Sequence, residues 1–254
     1  MYNYIVKCIG NSFRCQQTVV PQRNFVSICA YKTACEYEII TAYCFGICEI
    51  LSEKNKGEIG KIHSIDAEMS CYYPPDKREW LGLFQGGMMQ YLGCHMLDLV
   101  VRLQGVPESI TPFNTATGHE GVDAKDLAFA VLQYPDGVCT VKSSMLDVGG
   151  FQRRHLTVSG DKGTIIVQPF ETHYGKDEKH LFAMSSHLEL EAWGAAESID
   201  SERFDRYADM CRAFAATVRG ERALEVDLQT EARVERCLNA ACGISCDFKG
   251  EIRL

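Results

Sequence analysis

The sequence predicts an α+β fold: a largely antiparallel, open sheet with helices packed on one face. Two observations support this prediction. Strand patterns in the middle of the chain come in hairpins, which join antiparallel strands, and amphipathic helical patterns lie before and after them. Because an amphipathic helix has to bury its apolar stripe, we expect the helices to cover one face of the sheet.

One strand and one long helix are predicted ahead of the hairpins. Residues 62–69 combine two-residue alternation with β-branched side chains, which is typical of a strand, and Pro74-Pro75 then opens a polar loop up to Trp80. A helical pattern starts after Gly86-Gly87 and ends at Gly105. Its apolar stripe consists of Met88, Leu92, Met96, Leu99, Val100 and Leu103.

Two hairpins and one further strand follow. The first hairpin turns at Pro135-Asp136-Gly137, where proline presets φ and glycine permits a positive φ. The second turns at residues 160–163, which read Gly-Asp-Lys-Gly. The predicted strands are 127–134 and 138–146, 153–159 and 164–168, and finally 188–192.

Two helices are predicted at the end of the chain. The first ends at Gly220, and the second starts near Asp227 or Thr230 and stops at Gly243. Their apolar stripes are Phe204, Tyr207, Cys211, Phe214 and Val218 in the first helix, and Val234, Cys237, Leu238 and Ala241 in the second.

The composition of the 254 residues excludes several classes of protein. With 46% hydrophobic and 24% charged residues, the chain is not an intrinsically disordered one. A net charge of −8 argues against nucleic-acid binding, which needs a basic surface. The apolar N-terminal region holds no uncharged run beyond ten residues, about half of a membrane span, and no signal-peptide pattern. We therefore expect a cytoplasmic protein without nucleic-acid or membrane partners.

Residues 1–48 differ from the remainder of the chain. They hold six of the 13 cysteines and only six charged residues, and a helical pattern at 39–51 leads out of them. Three interpretations remain open: sequence that is not native, a buried apolar segment with reduced thiols, or, less favoured, a disulfide framework. The expected domains are an unassigned leader at 1–48 and one α+β domain at 49–254.

Common catalytic motifs do not occur in the sequence. It has no Gly-x-Gly-x-x-Gly dinucleotide fingerprint, no phosphate-binding Gly-x-x-x-x-Gly-Lys-Ser/Thr loop and no Gly-x-Ser-x-Gly nucleophile turn. The expected cofactor-binding set within this chain is therefore empty.

Metal sites are also weakly indicated. The cysteines lie four or five residues apart, wider than the Cys-x-x-Cys pairs of structural zinc sites, and three histidines lie seven apart in a region with little helical pattern. Packed thiols and chance spacing are the favoured interpretations, so no metal site is expected. The residues concerned are Cys44, Cys48, Cys237, Cys242 and Cys246, and His173, His180 and His187.

The long predicted helix carries the candidate site. Tyr91, His95 and Asp98 share one face of it by their spacing of four and three residues. His95 is suited to proton transfer near neutral pH, and Asp98 and Tyr91 to holding the imidazole or a substrate hydroxyl. The alternative is a structural one: a histidine at the core edge satisfied by Asp98, with Asp98 and Arg102 as an ion pair.

A second candidate lies at the start of a predicted strand. Arg153, followed by Arg154, has the bidentate donors that grip an anionic ligand. The alternative, more common for such a pair, is a solvated strand end.

Four segments together resemble the Gfo/Idh/MocA oxidoreductases over roughly residues 50–254. The most specific is the stretch from Gly86-Gly87 to His95 and Asp98, which reads GGMMQYLGCHMLD. The stretch 57–62, GEIGKI, precedes it, and the 160–165 turn, GDKGTI, and the helix at 230–243 follow in the family's order.

The resemblance implies a fold and an activity. In this family a Rossmann domain binds NAD(P), and a C-terminal α/β domain with an open antiparallel sheet binds a sugar, cyclitol or related polyol. It implies that His95 lies beside the reacting hydroxyl and that Asp98 contacts the substrate. The match departs from the polyol dehydrogenases at Tyr91, where many of them have aspartate, and the family's fingerprint and Glu-Lys-Pro motif have no counterpart here.

Three functional hypotheses follow. The first is the substrate-binding and oligomerisation domain of an NAD- or NADP-dependent oxidoreductase, truncated before its nucleotide domain and therefore weak or inactive alone. His95 would be its catalytic residue, and Tyr91, Asp98 and Arg153 its substrate contacts. The second is a non-enzymatic assembly or ligand-binding module that forms a homo-oligomer through the sheet face. The third and weakest is a thiol- or metal-binding protein.

Overall fold

The computed structural model describes residues 57–192, 195–205, 212, 215–221, 228–245, 247 and 249. The predicted leader at 1–48 and the helix predicted at 39–51 lie outside the described residues, and the division into domains at 48/49 stays a prediction. No helix among the described residues is long and apolar enough to cross a membrane.

An eight-stranded open sheet forms the framework, in the order β10-β9-β6-β5-β1-β4-β3-β2. All neighbours are antiparallel except β1 and β4, which pair in parallel with Ile65 opposite Cys139. The strands are β1 (Ile62–Glu68), β2 (Ser109–Pro112), β3 (Leu127–Tyr134), β4 (Gly137–Ser144), β5 (His155–Gly160), β6 (Gly163–Val167), β9 (His187–Ala192) and β10 (Ala195–Asp200). The predicted fold class is confirmed.

A small three-stranded sheet lies between β6 and α3 in the chain. Its order is β11-β8-β7, all antiparallel, with β7 (Thr172–Gly175), β8 (Ala183–Ser185) and β11 (Phe204–Asp205). Phe204 pairs with Met184 in it, so the helix predicted from Phe204 does not begin there. Much of that predicted helix lies outside the described residues, and a helical turn is present at 215–218.

Three helices complete the described chain: α1 (Pro75–Leu81), α2 (Cys94–Gln104) and α3 (Leu228–Ala241). A π-helical turn, Met89–Gly93, leads directly into α2. The region predicted as a polar loop up to Trp80 is instead α1, with Pro75 in its first turn, a position that suits proline. Helix α3 ends before Gly243, which has φ +76°, as the glycine stop signal predicts.

The core lies between one face of the large sheet and α2 with α3. Alternate residues of β3, among them Ala128, Ala130 and Leu132, are fully buried on that face. Small side chains there let the helices pack closely, and α2 contributes its predicted apolar stripe. The fully or almost fully buried helix residues include Met96, Leu97, Leu99, Val100, Leu103, Val234, Cys237, Leu238 and Ala241.

Candidate functional site

Helix α1 is anchored by a buried arginine. The side chain of Arg78 is fully buried, and its Nη1 lies 3.2 Å from the Asp126 carboxylate and 3.1 Å from the carbonyl oxygen of His119. Its Nη2 donates to Glu120. Asp126 also accepts hydrogen bonds from the backbone N–H and hydroxyl of Thr117, both at 3.1 Å. A buried charge needs this degree of compensation, and the result is a fixed position for α1.

Four half-buried aromatic side chains lie around α1 and the π-helical turn. Trp80 makes edge-to-face contacts with Phe84 (centroids 4.8 Å apart) and Tyr91 (5.5 Å), and Tyr91 is 6.5 Å from Tyr73. These distances and tilts fall in the range in which aromatic pairs attract. We call Tyr73, Trp80, Phe84 and Tyr91 the aromatic cluster.

Lys77 extends over the aromatic cluster. Its Nζ lies 3.9 Å from the ring centroid of Trp80, 5.1 Å from that of Tyr91 and 5.6 Å from that of Tyr73. Burial lowers the pKa of Lys77 from its usual value, because desolvation disfavours the ammonium. The rings offset part of this cost through cation–π attraction.

The π-helical turn positions the predicted residues Tyr91 and His95. Tyr91 lies within the turn and His95 in the first turn of α2, and both are half-buried. Such turns are rare and occur frequently at functional sites. The structure therefore places Tyr91 in the aromatic cluster beside Lys77, and His95 follows Tyr91 one helical turn later in the chain.

The Gly86-Gly87 pair before this turn is explained by packing. A Cβ on Gly86 would lie 2.3 Å from the sulfur of Cys242, and one on Gly87 would lie 2.5 Å from the carbonyl oxygen of Lys125. Gly87 also has φ +55°, in the left-handed region that favours glycine. Other segments of the chain thus approach this glycine pair closely and fix where the turn begins.

The side chain of Asp98 is part of a buried ionic contact within α2. Its fully buried carboxylate accepts a hydrogen bond from Arg102 Nε at 2.8 Å, and Arg102 also donates to Glu231 of α3. Burial raises the pKa of Asp98 to about 7, against the opposing effect of the Arg102 charge. These contacts join α2 to α3, so the structure supports the ion-pair interpretation of Asp98 rather than the expected substrate contact.

The two arginines that precede β5 lie in different surroundings. Arg153 is exposed and bound to Asp147 at 2.5 Å and to the carbonyl oxygen of Val148, which matches a solvated strand end. Arg154 is buried, 3.0 Å from Glu171, and donates to the carbonyl oxygen of Ser70. The role of Arg153 as a substrate contact stays a prediction.

Sequence reasoning missed Lys77 and Trp80 as site residues. Both come from the segment that was predicted as a loop, where no periodic pattern marks a helix. The Pro74-Pro75 pair was the available signal, because proline is favoured in the first turn of a helix. A helix there places residues 77 and 80 on one side, and Phe84 follows shortly after its end.

The histidine and cysteine patterns are separate structural features. His180 pairs with Asp177 at 3.0 Å, His187 with Asp200 at 2.7 Å, and His173 stacks on Phe182. Among the described residues no three His, Cys, Asp or Glu side chains lie close enough to hold a metal ion. Five described cysteines are buried and form no disulfide with one another: Cys71, Cys94, Cys139, Cys237 and Cys242.

A nicotinamide dinucleotide does not fit the described residues. Its pyrophosphate is usually held by a glycine-rich turn between a strand and the N-terminus of a helix. Strand β1 leads into helix α1, and the connection from Met69 to Pro74 has no glycine and ends in proline. Strands β2 and β4 lead only into short 3₁₀ turns, His119–Gly121 and Gly150–Arg153. A nucleotide would therefore need residues other than those described.

Comparisons with known proteins fit this domain. The family model of the GFO/IDH/MocA C-terminal domain matches residues 54–166. Aldose-aldose oxidoreductase from Caulobacter crescentus, solved with glycerol, superimposes with a TM-score of 0.62 at 15% identity, covering 81% of this chain and 60% of its own. UDP-N-acetylglucosamine 3-dehydrogenase from Acidithiobacillus ferrooxidans gives 0.55 at 17% identity, covering 81% and 58%.

A Desulfitobacterium hafniense protein assigned as an NADPH-dependent oxidoreductase gives a TM-score of 0.58 at 16% identity, covering 78% of this chain and 58% of its own. No curated protein matches the chain. The chain thus spans about three fifths of the length of these solved structures. At such identities the superpositions show the fold alone. The family model adds a similarity to the C-terminal domain of the Gfo/Idh/MocA oxidoreductases over residues 54–166.

Proposed function

We propose that the described domain binds the substrate of an NAD- or NADP-dependent oxidoreductase, and that this substrate is a sugar, cyclitol or related polyol. The observation that supports the proposal is that Tyr91, one helical turn before His95, belongs to a half-buried aromatic cluster, within a region that matches the C-terminal-domain model of this family. Aromatic faces offer apolar area and a polar edge to a sugar ring. Two of the similar structures are, by name, enzymes of aldoses and of a nucleotide sugar.

In this proposal His95 is the catalytic residue of the chain. It accepts the proton of a substrate hydroxyl as the carbinol is oxidised, and it returns the proton in the reverse direction. Tyr91, one turn earlier, orients the sugar ring, and the buried Asp98–Arg102–Glu231 contacts hold α2 in position beneath it. The hydride chemistry belongs to the nicotinamide, which residues other than those described would bind.

The described residues offer no usual site for a dinucleotide, and this determines what we expect of the chain by itself. We expect the purified chain to show no turnover with NAD or NADP, because no described loop cradles the pyrophosphate. Fluorescence or calorimetric titration with NADH and NADPH measures this directly. Binding in the micromolar range would contradict the expectation and would require a nucleotide site elsewhere in the chain.

Activity is tested by joining the chain to the nucleotide-binding domain of a solved relative, such as the aldose-aldose oxidoreductase, and screening aldoses and cyclitols. In an active fusion, His95→Asn is expected to lower kcat by about 10²–10⁴-fold, the range for losing a general acid–base group. His63→Asn, which changes an exposed histidine of β1, is the matched control and should keep activity. Full activity of the His95→Asn fusion would contradict the role of His95.

A second candidate function, assembly through the open sheet face, is favoured by a different observation. That face exposes Phe113 (55%) and Val138 (46%), and the rings of Phe113 and Phe129 lie 6.3 Å apart. A second copy of the chain is the proposed occupant, since a twofold axis can pair the same patch with itself. A Phe113→Lys/Val138→Lys variant should then run as a monomer by light scattering while wild type runs as an oligomer. His95→Asn should leave assembly intact, and a monomeric wild type would contradict this function.

A further inference from the structure

Among the described residues, no carboxylate forms an ion pair with Lys77. The neighbouring arginines that are partly or fully buried all have one: Arg78 contacts Asp126, Arg102 contacts Asp98, and Arg154 contacts Glu171. In contrast, no hydrogen bond or ion pair ends on Lys77 Nζ within the described part of the chain. Asp76 influences Lys77 through its charge but makes no ion pair with it.

The fold holds this unneutralised charge in a defined place. Helix α1 cannot rotate freely, because the next residue, Arg78, is locked to Asp126 and Glu120. The ammonium lies 3.9 Å above Trp80 and 5.1 Å from the Tyr91 ring, so its position is set by the aromatic cluster that we propose as the sugar platform. A partly desolvated ammonium attracts an anion more strongly than one in bulk water does.

We infer that Lys77 makes the site selective for an anionic sugar, one that carries a carboxylate or phosphate group. This inference rests on the proposed function, because it assigns the substrate class of the same site. The sugar ring lies against Tyr91 and Trp80, and its anionic group accepts a hydrogen bond from Lys77 Nζ. Lysine serves here as a point charge, which suits either a carboxylate or a phosphate.

Calorimetric titration of the full chain at low ionic strength tests this selectivity with three probes: glucose, glucuronate and glucose 1-phosphate. Wild type is expected to bind at least one of the two anions about tenfold more tightly than glucose, the effect of one charge-assisted hydrogen bond. Comparison of the two anions shows whether a carboxylate or a phosphate is preferred. Raising the salt concentration should reduce the preference.

Two variants of Lys77 separate charge from packing. Lys77→Gln is expected to abolish the preference for the anions over glucose, whereas Lys77→Arg should keep most of the preference. Lys179→Gln, an exposed lysine in the connection between β7 and β8, is the matched control. Unchanged selectivity in Lys77→Gln, or loss in Lys77→Arg equal to that in Lys77→Gln, would overturn the inference.

The remaining outcomes distinguish the inference from the proposed function. Equal binding of glucose and both anions by wild type overturns the role of Lys77 and leaves the proposed polyol site standing. Binding of none of the three sugars overturns the inference, and it also counts against the polyol site.

Discussion

Two adjacent cations of α1 lie in opposite surroundings. Arg78 is fully buried beneath the helix and is compensated by Asp126, Glu120 and a backbone carbonyl. Lys77, one residue earlier, lies above the helix among aromatic rings, where no carboxylate contacts its ammonium. The buried side is built for stability, because every charge there has a partner. The aromatic side keeps a charge and several rings available, which is what recognition of a ligand requires.

The same division applies to α2. Its predicted polar face separates into Asp98, which is buried against Arg102 and Glu231, and His95 with Tyr91, which lie half-buried toward the aromatic cluster. Spacing of three and four residues placed these groups on one face, but the packing of α3 converts part of that face into core. The buried ionic contacts of Arg78 with Asp126 and of Arg102 with Asp98 and Glu231 therefore hold in place the helices on which we place the site.

The largest effect on stability is expected from removing the buried ion pair between Arg78 and Asp126. Arg78→Met leaves Asp126 buried without its ionic partner, and we expect the free energy of unfolding to fall by about 3 kcal/mol. Lys77→Met, the control on the neighbouring residue, should change it by less than about 1 kcal/mol, because its charge has no partner to lose. Urea unfolding followed by circular dichroism measures both. Equal losses in the two variants would contradict the comparison.

The next largest effect concerns Asp98, which should make the free energy of unfolding depend on pH. Because the pKa of Asp98 is raised to about 7, the folded state retains a proton that the unfolded state releases near pH 4, so this group lowers stability as pH rises between these values. Asn cannot titrate. Between pH 4 and pH 8, the free energy of unfolding of wild type should therefore fall by at least about 1.4 kcal/mol relative to that of Asp98→Asn.

Parallel pH profiles of the two proteins would contradict the buried position of Asp98. Sugar binding gives a second readout for the same variant. If Asp98 is structural, Asp98→Asn should bind the sugar ligand of wild type with little change, whereas a substrate contact would lose affinity.

The smallest effect on stability is expected from the partly solvated ion pair of His155 and Asp66 on the open face of the sheet. His155 Nε2 lies 3.1 Å from Asp66, whose side chain is 59% exposed. The hydrogen bond between them raises the pKa of His155 and lowers that of Asp66. The pair thus stabilises the fold above the usual range of aspartate, and this stabilisation is lost as pH rises through the raised pKa of His155.

His155→Gln should accordingly cost well under about 1 kcal/mol at pH 6 and nothing measurable at pH 9, since exposed pairs contribute little. Thermal unfolding at the two pH values measures it. A loss that is the same at both values would show that packing, not the ion pair, holds His155.

Much of the fold could be predicted because it depends on local signals. The Pro135-Asp136-Gly137 turn, the apolar stripe of α2 and the stop at Gly243 each have a cause within a few residues. The parallel pairing of β1 with β4 and the short strands β2, β7, β8 and β11 could not be predicted, because distant neighbours define them. For the same reason Phe204 belongs to a strand opposite Met184 and not to a helix.

The candidate site was predicted in part. Tyr91 and His95 could be named as candidates, because helical spacing and the chemistry of histidine can be inferred from sequence, and their roles stay predictions. Lys77 was missed, since its significance depends on a seven-residue helix and on rings from other segments. Arg153 and Arg154 could not be told apart, because burial alone decides which of the two is solvated.

The central claim is that the aromatic side of α1 and α2 binds a sugar-like ligand while the buried side does not. A ¹H–¹⁵N NMR titration of the assigned chain with glucuronate and with glucose tests it most directly. The account predicts shifts of the Trp80 indole and of the amides of Lys77, Tyr91 and His95, with little change at Arg102 and Glu231. Shifts confined to the open face of the sheet, or no shifts with either sugar, would contradict it.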